Sequence, residues 1–182
     1  MSGRMEFTRH LVLAALFAAL TAVCSQLQIP LPAIPINLAL FAVYLCGALL
    51  GARWGALAMV AYALLGAIGA PVFVGFGSGP ATLFGRTGGY ILGYVFAAGL
   101  TGLLSRRWGF TFSRLCAAMA VGTAVCYFFG TAWFMFLTKL SLTASLSACV
   151  LPFLPGDAVK IALAALLALR LRTPLHAMGV AL

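Results

Sequence analysis

The stretch INLALFAVYLCGALLGARWGALAMVAYALLGAIGA, residues 36–70, decides the architecture. It is almost wholly apolar, and Gly51-Ala-Arg53-Trp-Gly55 near its middle reads as a tight connection between two helical stretches, 36–51 and 55–70. Both are short for a full membrane crossing, so neighbouring residues are expected to extend their ends. Working outward, four more apolar stretches emerge at roughly 10–28, 86–104, 114–138 and 155–171. Breakers separate them. Pro30, Pro32 and Pro35 follow the first; a Gly-rich loop runs from Pro71 to Gly85; Ser105 to Ser113 is polar and basic; Ser141 to Pro155 carries Ser and Thr, then Pro152 and Pro155.

Composition agrees. Of 182 residues, 64% are hydrophobic and 7% charged, against roughly 25% charged in soluble domains. A hydrocarbon core of about 30 Å needs about 20 apolar residues per helix. The chain therefore has room for about six crossings and no separate soluble domain. The expected architecture is a single all-α transmembrane bundle over 1–182. The net charge of +9 does not indicate nucleic acid, because the basic residues are scattered rather than gathered in a stripe.

Those charges instead set an orientation. With the N-terminus inside and six spans, the inner side receives Arg4, Arg9, Arg53, Arg106, Arg107, Arg114, Arg170 and Arg172. The outer side keeps Arg86, Lys139 and Lys160. Eight against three is a positive-inside bias that an odd span count would break. Both termini are then cytoplasmic. Arg4 and Arg9 before the run from Leu11 imitate a signal peptide, but Val23 is not the small residue a cleavage site wants, so the run reads as a permanent span. Five cysteines (Cys24, Cys46, Cys116, Cys126, Cys149) lie in apolar segments without a Cys-x-x-Cys pair, and read as packing residues.

Small residues recur at helical spacing. Gly47, Gly51 and Gly55 repeat at four, as do Gly85, Gly89 and Gly93, and such rows let helices approach closely in lipid. Ala14, Ala18 and Ala22 form another row, with Ala15 and Ala19 beside it, facing either the bundle or a partner.

Only two acids exist, Glu6 and Asp157. Glu6 precedes the first span and suits a solvated or capping role. Asp157 opens the last helix in Leu154-Pro-Gly-Asp157-Ala-Val-Lys160, near the positive helix end, with Lys160 three residues on along the same face. Charges at membrane depth face a cavity, a partner or each other. Arg86 ends the Gly-rich outer loop. If Arg86, Asp157 and Lys160 converge, they suit a small ligand with one carboxylate and a neutral polar head. Arg grips the carboxylate, Asp accepts N–H bonds and Lys donates to a carbonyl. Phe73, Phe76, Phe84 and Tyr90 are available to cover an apolar middle.

Enzyme readings fail. Gly77-Ser78-Gly79 imitates an intramembrane serine protease, but Phe76 stands where the first glycine belongs. His10 and His176 fall on the opposite membrane side, so no general base reaches Ser78. Gly75-x-Gly77-x-Gly79 follows no strand, and no phosphate loop is present, so energy for pumping must come from another subunit. No metal site is indicated.

Four passages carry a resemblance: Gly47-Ala-Leu-Leu-Gly51-Ala-Arg-Trp-Gly55, Tyr62 through Gly69-Ala-Pro71-Val-Phe73, Gly85-Arg-Thr-Gly-Gly-Tyr90, and Leu151-Pro-Phe-Leu-Pro-Gly-Asp157-Ala-Val-Lys160. Together they resemble the BioY family, the biotin-specific S components of energy-coupling factor (ECF) transporters. The resemblance implies a six-helix S-component fold in a prokaryotic cytoplasmic membrane, with biotin bound near the outer face. It implies Asp157 and Lys160 at the ureido ring, and Arg86 and Tyr90 on the fourth-helix motif, with Arg86 toward the carboxylate. It also implies Ala15 and Ala19 against a transmembrane coupling subunit, which joins two ATPase subunits that use the ATP. Where family members commonly read Pro-Ile-Thr-Leu-Gln, this chain has Pro35-Ile-Asn37-Leu-Ala39, so Asn37 stands in as the polar contact. An S component for another small vitamin and a ligand-free membrane assembly protein are the competing readings.

Overall fold

The computed structural model describes the backbone of residues 2–177 and the side chains of 4–175; His176 therefore lies outside the described side chains. The elements are α1 (Ser2–Gln26), a two-strand ribbon of β1 (Gln28–Ile29) and β2 (Ile36–Asn37), α2 (Ala39–Ala67), a single 3-10 turn at Val74–Phe76, α3 (Gly79–Leu83), α4 (Gly88–Trp108), α5 (Phe112–Thr138), α6 (Leu142–Cys149) and α7 (Leu154–Ala177). The all-α expectation holds apart from the ribbon, which is antiparallel and pairs Gln28 with Asn37. It takes up residues expected at the start of the second helix. Pro30, Pro32 and Pro35 lie in the connection that turns the chain back there.

α2 doubles back on itself. Gly51 sits inside it at φ 77°, ψ −179°, outside helical space. Cys46 Sγ lies 3.8 Å from the Gly55 carbonyl, whereas nine residues of straight helix would separate them by roughly 13 Å. Residues 39–50 and 52–67 are thus two antiparallel arms, as Gly51-Ala-Arg-Trp-Gly55 predicts. Glycine is strongly favoured at the turn because a side chain at that φ and ψ crowds its own backbone.

The glycine rows pack helix on helix within the chain. A Cβ on Gly47 would lie 2.4 Å from the Ala98 carbonyl oxygen of α4, and one on Gly102 would lie 2.4 Å from the Gly51 carbonyl carbon. On the other face of α4, Gly89 leaves room for Trp133 and Gly93 for Cys126, both of α5. α4 is therefore gripped from both sides at backbone distance. Dispersion over such close surfaces drives helix association where lipid offers no hydrophobic gain.

Polar ends are sorted. Trp54 beside the α2 turn stacks on His10 at 5.3 Å and meets Phe7 edge-on. Gly51 packs on Arg106, Arg114 donates to the Trp108 carbonyl, and Arg172 lies over Phe110. The arginines assigned to one side of the membrane therefore share one end of the bundle. The ribbon, the Val74–Phe76 turn and α3 occupy the other.

Among the described residues, four helices are long and apolar enough to cross a membrane: Arg4–Gln26, Ala39–Ala67, Gly88–Trp108 and Phe112–Thr138. A fifth candidate is the pair Leu142–Cys149 and Leu154–Leu175, bent by 50° at its break. The Ser141–Pro155 stretch, expected as a simple connection, thus contains α6, whose first turn is capped by the Ser141 hydroxyl. Likewise, the 71–85 loop contains α3 and the 3-10 turn.

α1 leans on the α2 hairpin through Ala14, Phe17, Ala18 and Thr21, all buried. Ala15 and Ala19 are exposed on its outer face, which also carries Val12, Leu16 and Val23.

Candidate functional site

The first turn of α7 begins the site. Asp157 and Lys160 are both buried, 2% and 8% exposed, although each carries a charge. Their spacing of three places them one above the other, and Lys160 Nζ donates to Asp157 Oδ1 at 2.7 Å. The second carboxylate oxygen accepts from the Tyr127 hydroxyl of α5. Burying two charges costs several kcal/mol each unless paired and hydrogen-bonded. Here both oxygens of the carboxylate are engaged.

These groups face a cavity at the loop-rich end of the bundle. Its walls are mainly aromatic: Tyr62 from the second arm of α2, Phe73 from the turn, Tyr90 and Tyr94 from α4, Tyr127 from α5 and Phe153 before α7. Ile34, Pro35 and Asn37 close it on the ribbon side, and Val74 and Thr87 on the loop side. The free space is about 40 Å³, room for about one water.

The walls are individually fixed. Gly130 lets the Tyr90 ring sit against α5, and the Tyr90 hydroxyl donates to the Cys149 carbonyl at 2.9 Å. Gly66 makes room for the Phe73 ring, which meets Tyr62 edge-on with centroids 5.5 Å apart. The Tyr62 hydroxyl donates to the Val72 carbonyl at 3.2 Å. Asn37 Oδ1 accepts from the Ala39 amide at 3.0 Å. It therefore holds the first amide of α2 from just outside the helix as well as lining the cavity. Ala39, in the place of the family glutamine, is fully buried and is not among the lining residues.

Of the residues singled out from the sequence, Asp157, Lys160, Tyr90, Asn37 and Phe73 come together here. Arg86 and Phe76 do not. Arg86 is exposed and absent from the lining, although its neighbour Thr87 belongs to it. Phe76 is 70% exposed at the tip of the turn. Its backbone φ of 57° turns the ring outward from a left-handed position. The lining charges are thus one negative and one positive, rather than a net positive trio. Among the described residues no group of His, Cys, Asp and Glu could hold a metal ion.

The BioY family model matches residues 1–177, on the fold and cavity just described. The chain belongs to the BioY family. Among BioY proteins it is 37% identical to the biotin transporter BioY of Thermotoga maritima over 164 residues, covering 90% of this chain and 96% of that protein. It is 36% identical to the probable biotin transporter BioY of Pyrococcus horikoshii, with the same coverage. The biotin transporter BioY of Rhizobium etli matches at 37% over 171 residues, covering 88% and 91%. The fold superposes on a crystal structure of the S-component for biotin from an ECF-type ABC transporter. The TM-score is 0.85 and the identity 28%, over 91% of this chain and 92% of that one. BioY members are transport proteins, not enzymes.

Tyr127, Tyr94 and Tyr62 are not among the site residues expected from sequence, although Tyr62 opens one of the passages that carry the resemblance. Each lies inside an apolar run, where an aromatic side chain reads as packing. The available signal was chemical: a tyrosine hydroxyl inside a membrane helix needs a hydrogen-bond partner.

Proposed function

We propose that this chain binds biotin and takes it up as the S component of an ECF-type ABC transporter. The observation that carries this is the buried Asp157–Lys160 pair facing an aromatic cavity in a BioY-family chain. A cyclic urea offers N–H donors and one carbonyl acceptor. Asp157 accepts from the former and Lys160 donates to the latter, so the head is matched without a net charge. Tyr90, Tyr94, Phe73 and Ile91 enclose the apolar ring and chain. Because Asp157 and Lys160 cancel, the ligand's carboxylate needs a cation from outside the lining. Arg86, one residue before lining Thr87, meets it at the mouth.

The α2 arms and the bent α6–α7 pair bring the crossings to six: α1, two arms, α4, α5 and the α6–α7 unit. The arms of 39–50 and 52–67 are short passes, closed at one end by the turn at Gly51. Both termini then lie on the arginine-rich, cytoplasmic side of a prokaryotic inner membrane. The exposed row of Ala15 and Ala19 on α1 receives the transmembrane coupling subunit, since small residues permit close helix approach. Two ATPase subunits in that complex hydrolyse the ATP. This chain contributes no cofactor.

Purified protein in nanodiscs titrated with labelled biotin tests the reading. Saturable submicromolar binding, competed by unlabelled biotin, is expected; a flat titration overturns it. Tyr127→Phe is expected to weaken binding about five- to twentyfold, because a hydrogen bond to a charged group is worth about 1.5–3 kcal/mol and part of that is recovered by Lys160. Arg86→Gln is expected to weaken biotin about tenfold more than it weakens biotin amide, which carries no charge for Arg86 to meet. An unchanged ratio removes Arg86 from the carboxylate.

A further inference from the structure

With a free volume of about 40 Å³, the cavity is closed to a bicyclic ligand with an acid tail, so part of its wall must move. Two non-helical segments form that wall on the outer side, and they are held differently. The ribbon side is fastened by backbone: the Leu38 amide donates to the Cys24 and Leu27 carbonyls, both at 3.2 Å. The turn 72–76 is fastened to α1 by side chains. Gln26, the last residue of α1, makes most of these bonds. Its Nε2 donates to the Phe73 carbonyl at 3.0 Å and to the Val72 carbonyl at 3.3 Å. Its Oε1 accepts from the Phe76 amide at 2.9 Å.

We propose that Gln26 is a positioning residue, a latch that holds the cavity-facing turn on the end of α1 and whose release admits and discharges the ligand. The Phe73 ring stays seated in the Gly66 notch against Tyr62, while 74–77 swings about it. Ser25 and Tyr62 both donate to the Val72 carbonyl, at 2.6 and 3.2 Å, on the anchored side of that hinge. The Phe76 amide, on the moving side, is held to α1 by Gln26. Val74, which lines the cavity, sits between them. Within the turn the Phe73 amide donates to the Gly77 carbonyl at 3.0 Å and the Gly77 amide to the Val74 carbonyl at 3.3 Å, so the loop from 73 to 77 pivots as one piece. A rotamer change at Gln26 removes the side-chain bond that ties this moving side to α1.

The rate measurements rest on the biotin reading; the exchange measurement does not. In Gln26→Leu, which keeps bulk and loses every side-chain bond from this position to the turn, amide exchange at Phe76 without ligand is expected to rise about tenfold. Biotin association and dissociation rates are each expected to rise about fivefold, with little change in Kd. A residue that merely shapes the cavity would raise dissociation alone. Unchanged exchange at Phe76, or an association rate that is unchanged or slower, overturns the latch. If wild-type protein binds no biotin, the biotin reading fails and exchange alone decides the latch. Should Gln26→Leu fail to fold, Gln26→Glu keeps the acceptor for Phe76 and replaces the amide donor. Protection at Phe76 close to wild type supports the latch; loss of that protection although the acceptor is kept overturns it.

Discussion

Asp157→Asn is expected to lower biotin affinity by about a hundredfold or more. Asp157 is the sole acid in the cavity, and it accepts hydrogen bonds from Lys160 and Tyr127 while facing the space a ligand head would fill. Asparagine keeps the shape but replaces one acceptor oxygen with a donor. That donor opposes Lys160, the Tyr127 hydroxyl or the ligand's N–H. Losing charge-assisted bonds of about 1.5–3 kcal/mol each gives the stated factor at about 1.4 kcal/mol per decade. The substitution also leaves Lys160 buried without its counter-charge. Removing one partner of a buried pair costs about 3–5 kcal/mol, so a lower unfolding temperature in detergent is expected alongside. Glu6→Gln is the control, because Glu6 lies on α1 toward the arginine-rich end. It should bind as wild type. Equal losses in the two variants would remove Asp157 from the binding surface.

Gly102→Val is expected to prevent recovery of folded, monodisperse protein. A Cβ there would lie 2.4 Å from the Gly51 carbonyl carbon, 2.5 Å from the Ala52 nitrogen and 2.6 Å from the Gly47 oxygen. All three are backbone atoms of α2, two at its turn and one on its first arm, and they have no rotamer through which to retreat. Overpacking of this kind costs about 3 kcal/mol or more, and valine adds two methyl groups beyond the Cβ. Gly51→Ala makes an instructive contrast. Its Cβ meets Arg106 Nε at 2.6 Å, but that is a flexible side chain and it can move aside. What remains is the φ of 77° with ψ of −179°, a nearly glycine-only conformation worth about 1–3 kcal/mol for a residue with a Cβ. Gly51→Ala is therefore expected to fold with a reduced unfolding temperature. Size-exclusion profiles and thermal unfolding in detergent rank the two. A Gly102→Val protein as stable as wild type would mean that the hairpin does not rest on α4 as described.

The bundle was largely legible in the chain because membrane solvent leaves few options. Long apolar runs must close their backbone hydrogen bonds internally, and helices do so locally. Gly51-Ala-Arg-Trp-Gly55 announced the reversal inside α2 for a local reason as well, a glycine pair around a charged residue. The site was legible where its geometry is local. Asp157 and Lys160 face one way because three residues of helix turn them there. Arg86 and Phe76 mark where this stopped. Arg86 adjoins Thr87 and Phe76 lies two residues from Val74, and both Thr87 and Val74 line the cavity. Yet a left-handed backbone at Phe76 and the short α3 before Arg86 aim the side chains elsewhere. No spacing rule covers such loops. Gln26 carried no signal at all, since a polar residue at a helix end normally meets water.

The chain alone determined the solvent it lives in, its helical class, the hairpin within residues 36–70 and the ion pair on α7. Each follows from composition or from periodicity within one element. Only the tertiary structure brought Tyr127 to Asp157, thirty residues away, seated Phe73 in the notch of Gly66, and tied Gln26 to a turn fifty residues downstream. Those meetings depend on how closely α4 approaches α2 and α5 across their glycines. That distance is set by the sum of many contacts along three helices, which no stretch of sequence states by itself.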